Sequence, residues 1–258
     1  MNFKKLAIIF AFSIFLIYTV LILSLFYFFN GSLFVETLFS NRMLYSIRLS
    51  LITASIATFI SVLIAIPAAY GLSRFNFKGK KLIDTILELP MVVSPAALGA
   101  MLLIFFNNPF GNWFQSNGIQ FVFTFYGIIL AQFITTLGIT TRLIKAAMDE
   151  IPKRYEDVAR SLGASFFKSF YTITLPLSKR GIIAAAILTW AKALGEFGAT
   201  ITIAGSMPMN TETIPIAIYM KLSSADIEGT VALIFILIAI GLGILYAVRI
   251  IPGKKPYA

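Results

Sequence analysis

The sequence contains no cysteine and no histidine. Their absence removes disulfides, thiol nucleophiles, the commonest metal ligand and the usual general base at neutral pH. Most intramembrane thiol and metalloenzyme chemistry goes with them, so neither a catalytic nor a metal site is expected. Charge is scarce too: 12% of residues carry it, against about a quarter in soluble domains, while 59% are hydrophobic and the mean hydropathy is +0.89. A soluble domain of 258 residues exposes more surface than so few charges cover, which places the chain in lipid. A phosphate loop of the form G-x-x-x-x-G-K-[ST] is also missing. The nearest fragment, Gly79-Lys80-Lys81, lacks the upstream glycine and the terminal hydroxyl and reads as a basic loop.

What is present is a series of apolar runs, each long enough to cross about 30 Å of hydrocarbon as roughly 20 helical residues. They cover 6–29, 47–72, 82–106, 119–143, 181–204 and 230–250, predicting an all-α polytopic membrane protein with six transmembrane helices. The first run follows Lys4 and Lys5, as a signal peptide would, but it exceeds a signal core and Asn30-Gly31 follow it instead of a small-x-small cleavage site. A retained anchor is expected.

Most Lys and Arg lie at both ends and in alternate connections: 4 and 5; 74, 78, 80 and 81; 142, 145, 153, 154, 160, 168, 179 and 180; 249, 254 and 255. The other connections hold only Arg42, Arg48 and Lys221, and the loop 107–118 has no charge. This positive-inside bias predicts a multi-pass cell-membrane protein with both termini cytoplasmic. It also accounts for the net charge of +10 without nucleic acid, since the cations sit where anionic headgroups and a cytosolic partner meet them.

Two runs carry helix breakers. Pro67 is expected to break the second, and Pro90 and Pro95 bracket residues 91–94 in the third, each removing a backbone donor. A single proline more often marks a packing kink. Two prolines beside Ser94, Ala96, Ala97 and Gly99 favour a segment facing protein or a water-filled path.

The stretch 146–180 is too polar to span and too long for a simple turn. Tyr155, Val158, Ala159 and Leu162 recur at helical spacing, with Glu156, Asp157 and Arg160 elsewhere around the helix, predicting a short amphipathic helix. Gly163 suits its C-terminal end, Ser165 suits the cap of a second short helix carrying Phe166, Phe167 and Phe170, and Pro176 is expected to close that helix. Such an element fits either a protein dock or a helix lying on lipid headgroups.

Asp157, Val158, Ala159, then Gly163, then Ile173-Thr174-Leu175-Pro176 resemble the E-A-A, G, I-x-L-P loop of type I ABC importer permeases. Asp157 and Val158 depart from the usual Glu and Ala. A second stretch, Trp190 to Thr200 (W-A-K-A-L-G-E-F-G-A-T) with Thr211, Thr213, Pro215, Ala217, Ile218 and Tyr219, is similar to segments of molybdate, tungstate and sulfate permeases. Lys192 stands where an arginine is usual. Pro67, Phe77, Gly79, Leu89, Pro90, Pro95 and Gly99 fit the same pattern, and the similarity spans about 43–249.

This resemblance implies a permease subunit that moves molybdate- or tungstate-type oxyanions inward, with sulfate or thiosulfate the alternative. It implies ATPase-coupling residues Asp157, Val158, Ala159, Gly163, Ala164, Ile173, Leu175 and Pro176. It also implies partners: a cytosolic ABC ATPase dimer that binds ATP and Mg, a second permease copy in a homodimer, and an extracytoplasmic oxyanion-binding protein. No cofactor of its own is expected. The domain expectation is an N-terminal helix and external loop over 1–42, the transmembrane domain over 43–250 with its coupling loop at 146–180, and a cytoplasmic tail over 251–258.

Lys192 and Glu196 stand four apart, which predicts one helical face and an internal ion pair that fixes packing or gates the path. Ser94, Pro95, Lys192, Glu196 and Thr200 are therefore the candidate path or gate residues. An ion-coupled secondary transporter is the competing class, but only Glu88 and Glu196 supply carboxylates within the spans. An enzyme would need a nucleophile-base pair that the sequence does not offer.

Overall fold

The structure, a computed structural model, describes residues 3–250. The expected tail at 251–258, with Lys254 and Lys255, lies outside the described residues. Those residues are helical with no strand among them: α1 (Phe3–Ser24), α2 (Gly31–Phe39), α3 (Asn41–Arg74), α4 (Lys80–Ile86), α5 (Leu89–Val92), α6 (Pro95–Asn107) and α7 (Pro109–Ser116) come first. They are followed by α8 (Phe125–Asp149), α9 (Arg154–Ser161), α10 (Phe166–Ser169), α11 (Leu175–Leu194), α12 (Gly198–Ala204), α13 (Ile214–Ser223) and α14 (Ile227–Ile250). Polar side chains start many of these helices: Asn30, Ser40, Ser94, Asn108, Thr124 and Ser165 each accept a backbone N–H of the first turn. Pro90, Pro95, Pro109 and Pro215 sit in first turns, where the missing donor costs nothing.

Among the described residues four helices are long and apolar enough to cross a membrane unbroken, and six spans result if each of two bent pairs counts as one. The third span bends by 110° between residues 80–92 and 95–107, and the fifth by 56° between 166–194 and 198–204. The expected break at Pro67 does not occur: α3 runs through it for 34 residues. At about 1.5 Å per residue such a helix is some 50 Å long and outreaches the hydrocarbon, so its end projects beyond the bilayer. Pro176 does not close a helix either. A π-helical turn over Phe170–Thr174 leads directly into α11, and the wider turn takes in the proline near the start of the span. The short apolar helix α13 has no counterpart in the expected spans; ten residues cannot cross, and its first turn is buried against α14 and α3.

The core is made by α3, α8 and α11 through small and hydroxyl residues. Ala54, Ala57, Ala65 and Ala69 of α3 are fully buried, and hydroxyl contacts join Ser61 to Thr136 at 3.1 Å and Thr140 to Thr189 at 2.8 Å. Short side chains let membrane helices approach closely while hydrogen bonds cross the interface. α1, by contrast, buries none of its residues and is apolar all round, as a lipid-facing helix requires.

Candidate functional site

The loop between α8 and α11 is built around Glu156. This residue, on α9, is only 5% exposed. Arg74 Nε donates to its Oε1 at 2.6 Å, Tyr70 Oη donates to its Oε2 at 2.8 Å, and Thr174 Oγ1 donates to Oε1 as well. Arg74 also donates from Nη2 to the Ile151 carbonyl at 3.1 Å, and the neighbouring Ser73 hydroxyl donates to Asp149 Oδ1 at 2.5 Å. Glu156, with Ser73 and Arg74, thus gathers the last turn of α3, the end of α8, α9 and the lead into α11. Burial alone pushes a carboxyl up, but the hydrogen bonds from Thr174, Arg74 and Tyr70 outweigh it and hold Glu156 below the usual carboxylate range.

With Glu156 turned inward, the apolar residues of the same helix turn outward. Tyr155, Val158 and Leu162 are 47%, 60% and 85% exposed, and Phe167 and Tyr171 beyond the turn are exposed as well. The helix ends as Gly163 predicts: φ there is +89°, its N–H bonds the Arg160 carbonyl at 2.9 Å, and the Ala164 N–H bonds the Ala159 carbonyl at 3.0 Å. That pattern satisfies the final carbonyls through a left-handed residue. Ser165 Oγ then accepts the Lys168 N–H at 3.2 Å, Arg160 stacks 4.0 Å above the Phe166 ring, and Phe166 meets Phe75 edge-on at the end of α3. A firm body therefore carries an uncovered apolar face.

Of the residues expected to act here, Asp157 and Val158 are exposed, Ala159 and Ala164 half-buried, and Ile173, Leu175 and Pro176 lie in the π turn and the start of α11. Among the described residues Asp157 pairs only with Arg160, at 3.6 Å. The acidic residue that anchors the loop is Glu156, one position earlier, which sequence reasoning passed over. Its partners lie 82, 86 and 18 residues away, so no local spacing marks it.

The second region lies where the two bent spans meet. Gly99 of α6 abuts α12 so closely that a Cβ would stand 2.8 Å from the Ala199 Cα and carbonyl oxygen, and a Cβ on Gly198 would stand 2.9 Å from the Ala96 nitrogen. Beside this clasp an open recess of about 590 Å³ is lined by Ser94, Pro95, Ala96, Ala191, Lys192, Gly195, Glu196, Phe197 and Gly198. Four of the five candidate path residues share it. Thr200 does not: it is fully buried, and its hydroxyl has no partner.

The expected helical pairing of Lys192 with Glu196 is corrected. α11 stops at Leu194 with Gly195 as its cap, so Glu196 falls outside the helix and no ion pair joins the two. Glu196, 4% exposed, instead accepts the Ala199 N–H on Oε1 at 3.1 Å at the start of α12. The helix periodicity that the spacing presumes is interrupted by the glycines at 195 and 198, and these were the signal available in the sequence. Among the described residues no three His, Cys, Asp or Glu side chains cluster as a metal site would require.

Bent spans clasped through glycine beside an open recess, with a loop too polar to span between the fourth and fifth crossings, have the build of a polytopic membrane permease. Residues 61–254 match the family described as the binding-protein-dependent transport system inner membrane component, and the chain belongs to that family, the permease subunits of type I ABC importers. It is similar to the molybdenum transport system permease protein ModB of Escherichia coli (strain K12), 37% identical over 204 residues that cover 76% of this chain and 88% of that protein. It is also similar to the sulfate transport system permease protein CysT of the same organism, 27% identical over 221 residues covering 85% and 80%. In fold it resembles a crystal structure of a bacterial ABC transporter involved in the import of the acidic polysaccharide alginate, with a TM-score of 0.74, 19% identity and coverage of 98% and 97%.

Proposed function

We infer that this chain is the membrane subunit of an ATP-driven importer for tetrahedral oxyanions of the molybdate and tungstate type. The observation that carries the reading is the loop 146–180: an outward apolar face on a body that Glu156 ties to α3 and the start of α11, and that Ser73 and Arg74 tie to the end of α8. An exposed apolar surface on a rigid frame suits a protein partner, and a buried ionic anchor lets a displacement of that surface reach α3, α8 and α11 together. The partner is a pair of cytosolic ATPase subunits that bind ATP and Mg. Asp157, Val158, Ala159, Gly163 and Ala164 present the contact, while Ile173, Leu175 and Pro176 lead it into the fifth span.

Two copies of the chain around a C2 axis complete the path, since six spans form half of such a core. An extracytoplasmic binding protein delivers the anion to them. Both termini face the cytoplasm, as the distribution of Lys and Arg supports. In the path, Ser94, Pro95 and Lys192 face the anion, and Glu196 is turned aside into its backbone hydrogen bond. Molybdate is preferred over sulfate because the molybdenum permease relative is the more similar of the two described. The test is uptake into proteoliposomes holding permease, ATPase and binding protein. ATP-dependent molybdate uptake that tungstate blocks and excess sulfate does not is expected. Uptake blocked by sulfate assigns the sulfate alternative, and uptake driven by an ion gradient without ATP overturns the reading.

A further inference from the structure

On the face of α8 that looks toward the third span, Gly138 and Arg142 stand one helical turn apart. Each holds one of two adjacent residues in the turn between α4 and α5. At Gly138 the approach is so close that a Cβ would lie 2.1 Å from the Leu87 carbonyl oxygen and 3.6 Å from Pro90 Cδ. At Arg142, Nη2 meets Glu88 Oε1 at 2.5 Å. We propose that the Arg142–Glu88 pair is a positioning device for transport: it ties the bent segment of the third span to the helix that runs into the loop 146–180, the handle, so that movement of the handle pulls as well as pushes the start of α6.

A steric notch such as Gly138 against Leu87 resists compression but gives way under tension. An ion pair resists separation. Together they make the junction between α8 and the α4–α5 turn work in both directions. On one side, α8 ends at Asp149, inside the Glu156 cluster, where Ser73 and Arg74 bind Asp149 and Ile151. On the other side, α5 ends at Val92, two residues before Ser94 and three before Pro95, which open α6 and line the recess against Gly198. The chain of contacts is therefore continuous from the handle to the path.

The surroundings leave the turn room to move. Arg142, Met91, Lys145 and Asp149 border an open recess of about 410 Å³ on the same side, in which Lys145 is occupied by Asp149 at 3.3 Å. Arg142 and Glu88 are 45% and 40% exposed, so the pair contributes little to the stability of the fold. Its loss is expected to change coupling and not folding.

This inference rests on the reading of the chain as the permease of an ATP-driven importer. The experiment compares the complete complex in proteoliposomes with Glu88→Gln, with Arg142→Gln and with the exchanged pair Glu88→Arg/Arg142→Glu, reading molybdate taken up per ATP hydrolysed. Each single change is expected to lower that ratio about fivefold at unchanged complex yield, and the exchange to restore it to within about twofold. Single variants with the wild-type ratio, or an exchange no better than the singles, overturn the positioning role. A wild-type complex that hydrolyses ATP but takes up no oxyanion overturns the importer reading itself, a result distinct from any pattern among the variants.

Discussion

Glu156 and Glu196 are both buried carboxylates, at 5% and 4% exposure, yet they are held in different ways. Glu156 accepts from three side chains, Tyr70 and Arg74 at the end of α3 and Thr174 at the lead into α11. Glu196 accepts one backbone N–H three residues away and shares an open recess with a lysine that it does not bind. The first arrangement locks segments that are distant in sequence into one rigid body. The second shapes a local turn and leaves the neighbouring cation free to meet something else. On the importer reading proposed above, the first arrangement supplies stiffness where an ATPase would press, and the second leaves a lysine beside the recess that Glu196 does not bind.

The contrast can be broken most readily at Glu156. Glu156→Ala leaves Arg74 buried without its partner, a change that costs about 3–5 kcal/mol. Loss of ATP-driven uptake is expected, together with protease cleavage in the loop 146–180; uptake at the wild-type level would show that the cluster is dispensable. Next in size is the clasp between the bent spans. Gly99→Ala places a Cβ 2.8 Å from backbone atoms of Ala199, and overpacking of this kind costs about 1–3 kcal/mol. Thermal unfolding of the detergent-solubilised complex is the measurement, with a lower transition expected.

Smaller effects sharpen the comparison at the recess. Glu196→Gln keeps a carbonyl for the Ala199 N–H and is expected to leave stability nearly unchanged, whereas Glu196→Ala loses the cap at a cost of about 1 kcal/mol. A double-mutant cycle between Lys192 and Glu196 should give a coupling energy below about 0.5 kcal/mol, and a larger value would restore the ion pair that the geometry denies. Smallest is the response to pH. The folded-state pKa of Glu156 is depressed, so its contribution is present above the unfolded value of about 4.3 and is lost as pH falls through the lower folded value. Protection of the loop from protease is expected to stay constant from about pH 7 to pH 5 and to decline only below the ordinary carboxylate range.

The spans, the basic loop, its glycine stop and the serine cap were legible in the sequence because each depends on periodicity or on one residue's backbone preference. Gly163 and Ser165 do what their types predict within a few residues of chain. What stayed hidden depends on contacts across the fold. Glu156 looked like one more charge on an amphipathic helix, since Arg74 and Tyr70 arrive from α3. Lys192 and Glu196 were misread for the opposite reason: a helical spacing was extended across Gly195, where the helix had already ended. The proline expectations at 67 and 176 do not hold because α3 continues through Pro67, and Pro176 falls in the first turn of α11 after a π turn, where its missing donor costs nothing.

The central claim is that an ATP-hydrolysing subunit grips the outward face of α9 on the cytoplasmic side. Because the chain has no cysteine, Val158→Cys introduces a single thiol at the middle of that face. In the assembled complex this thiol should cross-link to the ATPase subunit, and in intact cells it should resist a maleimide that cannot cross the membrane. A thiol labelled from outside the cell, or one that reacts only with lipid-borne reagents and never with the ATPase, would contradict the account.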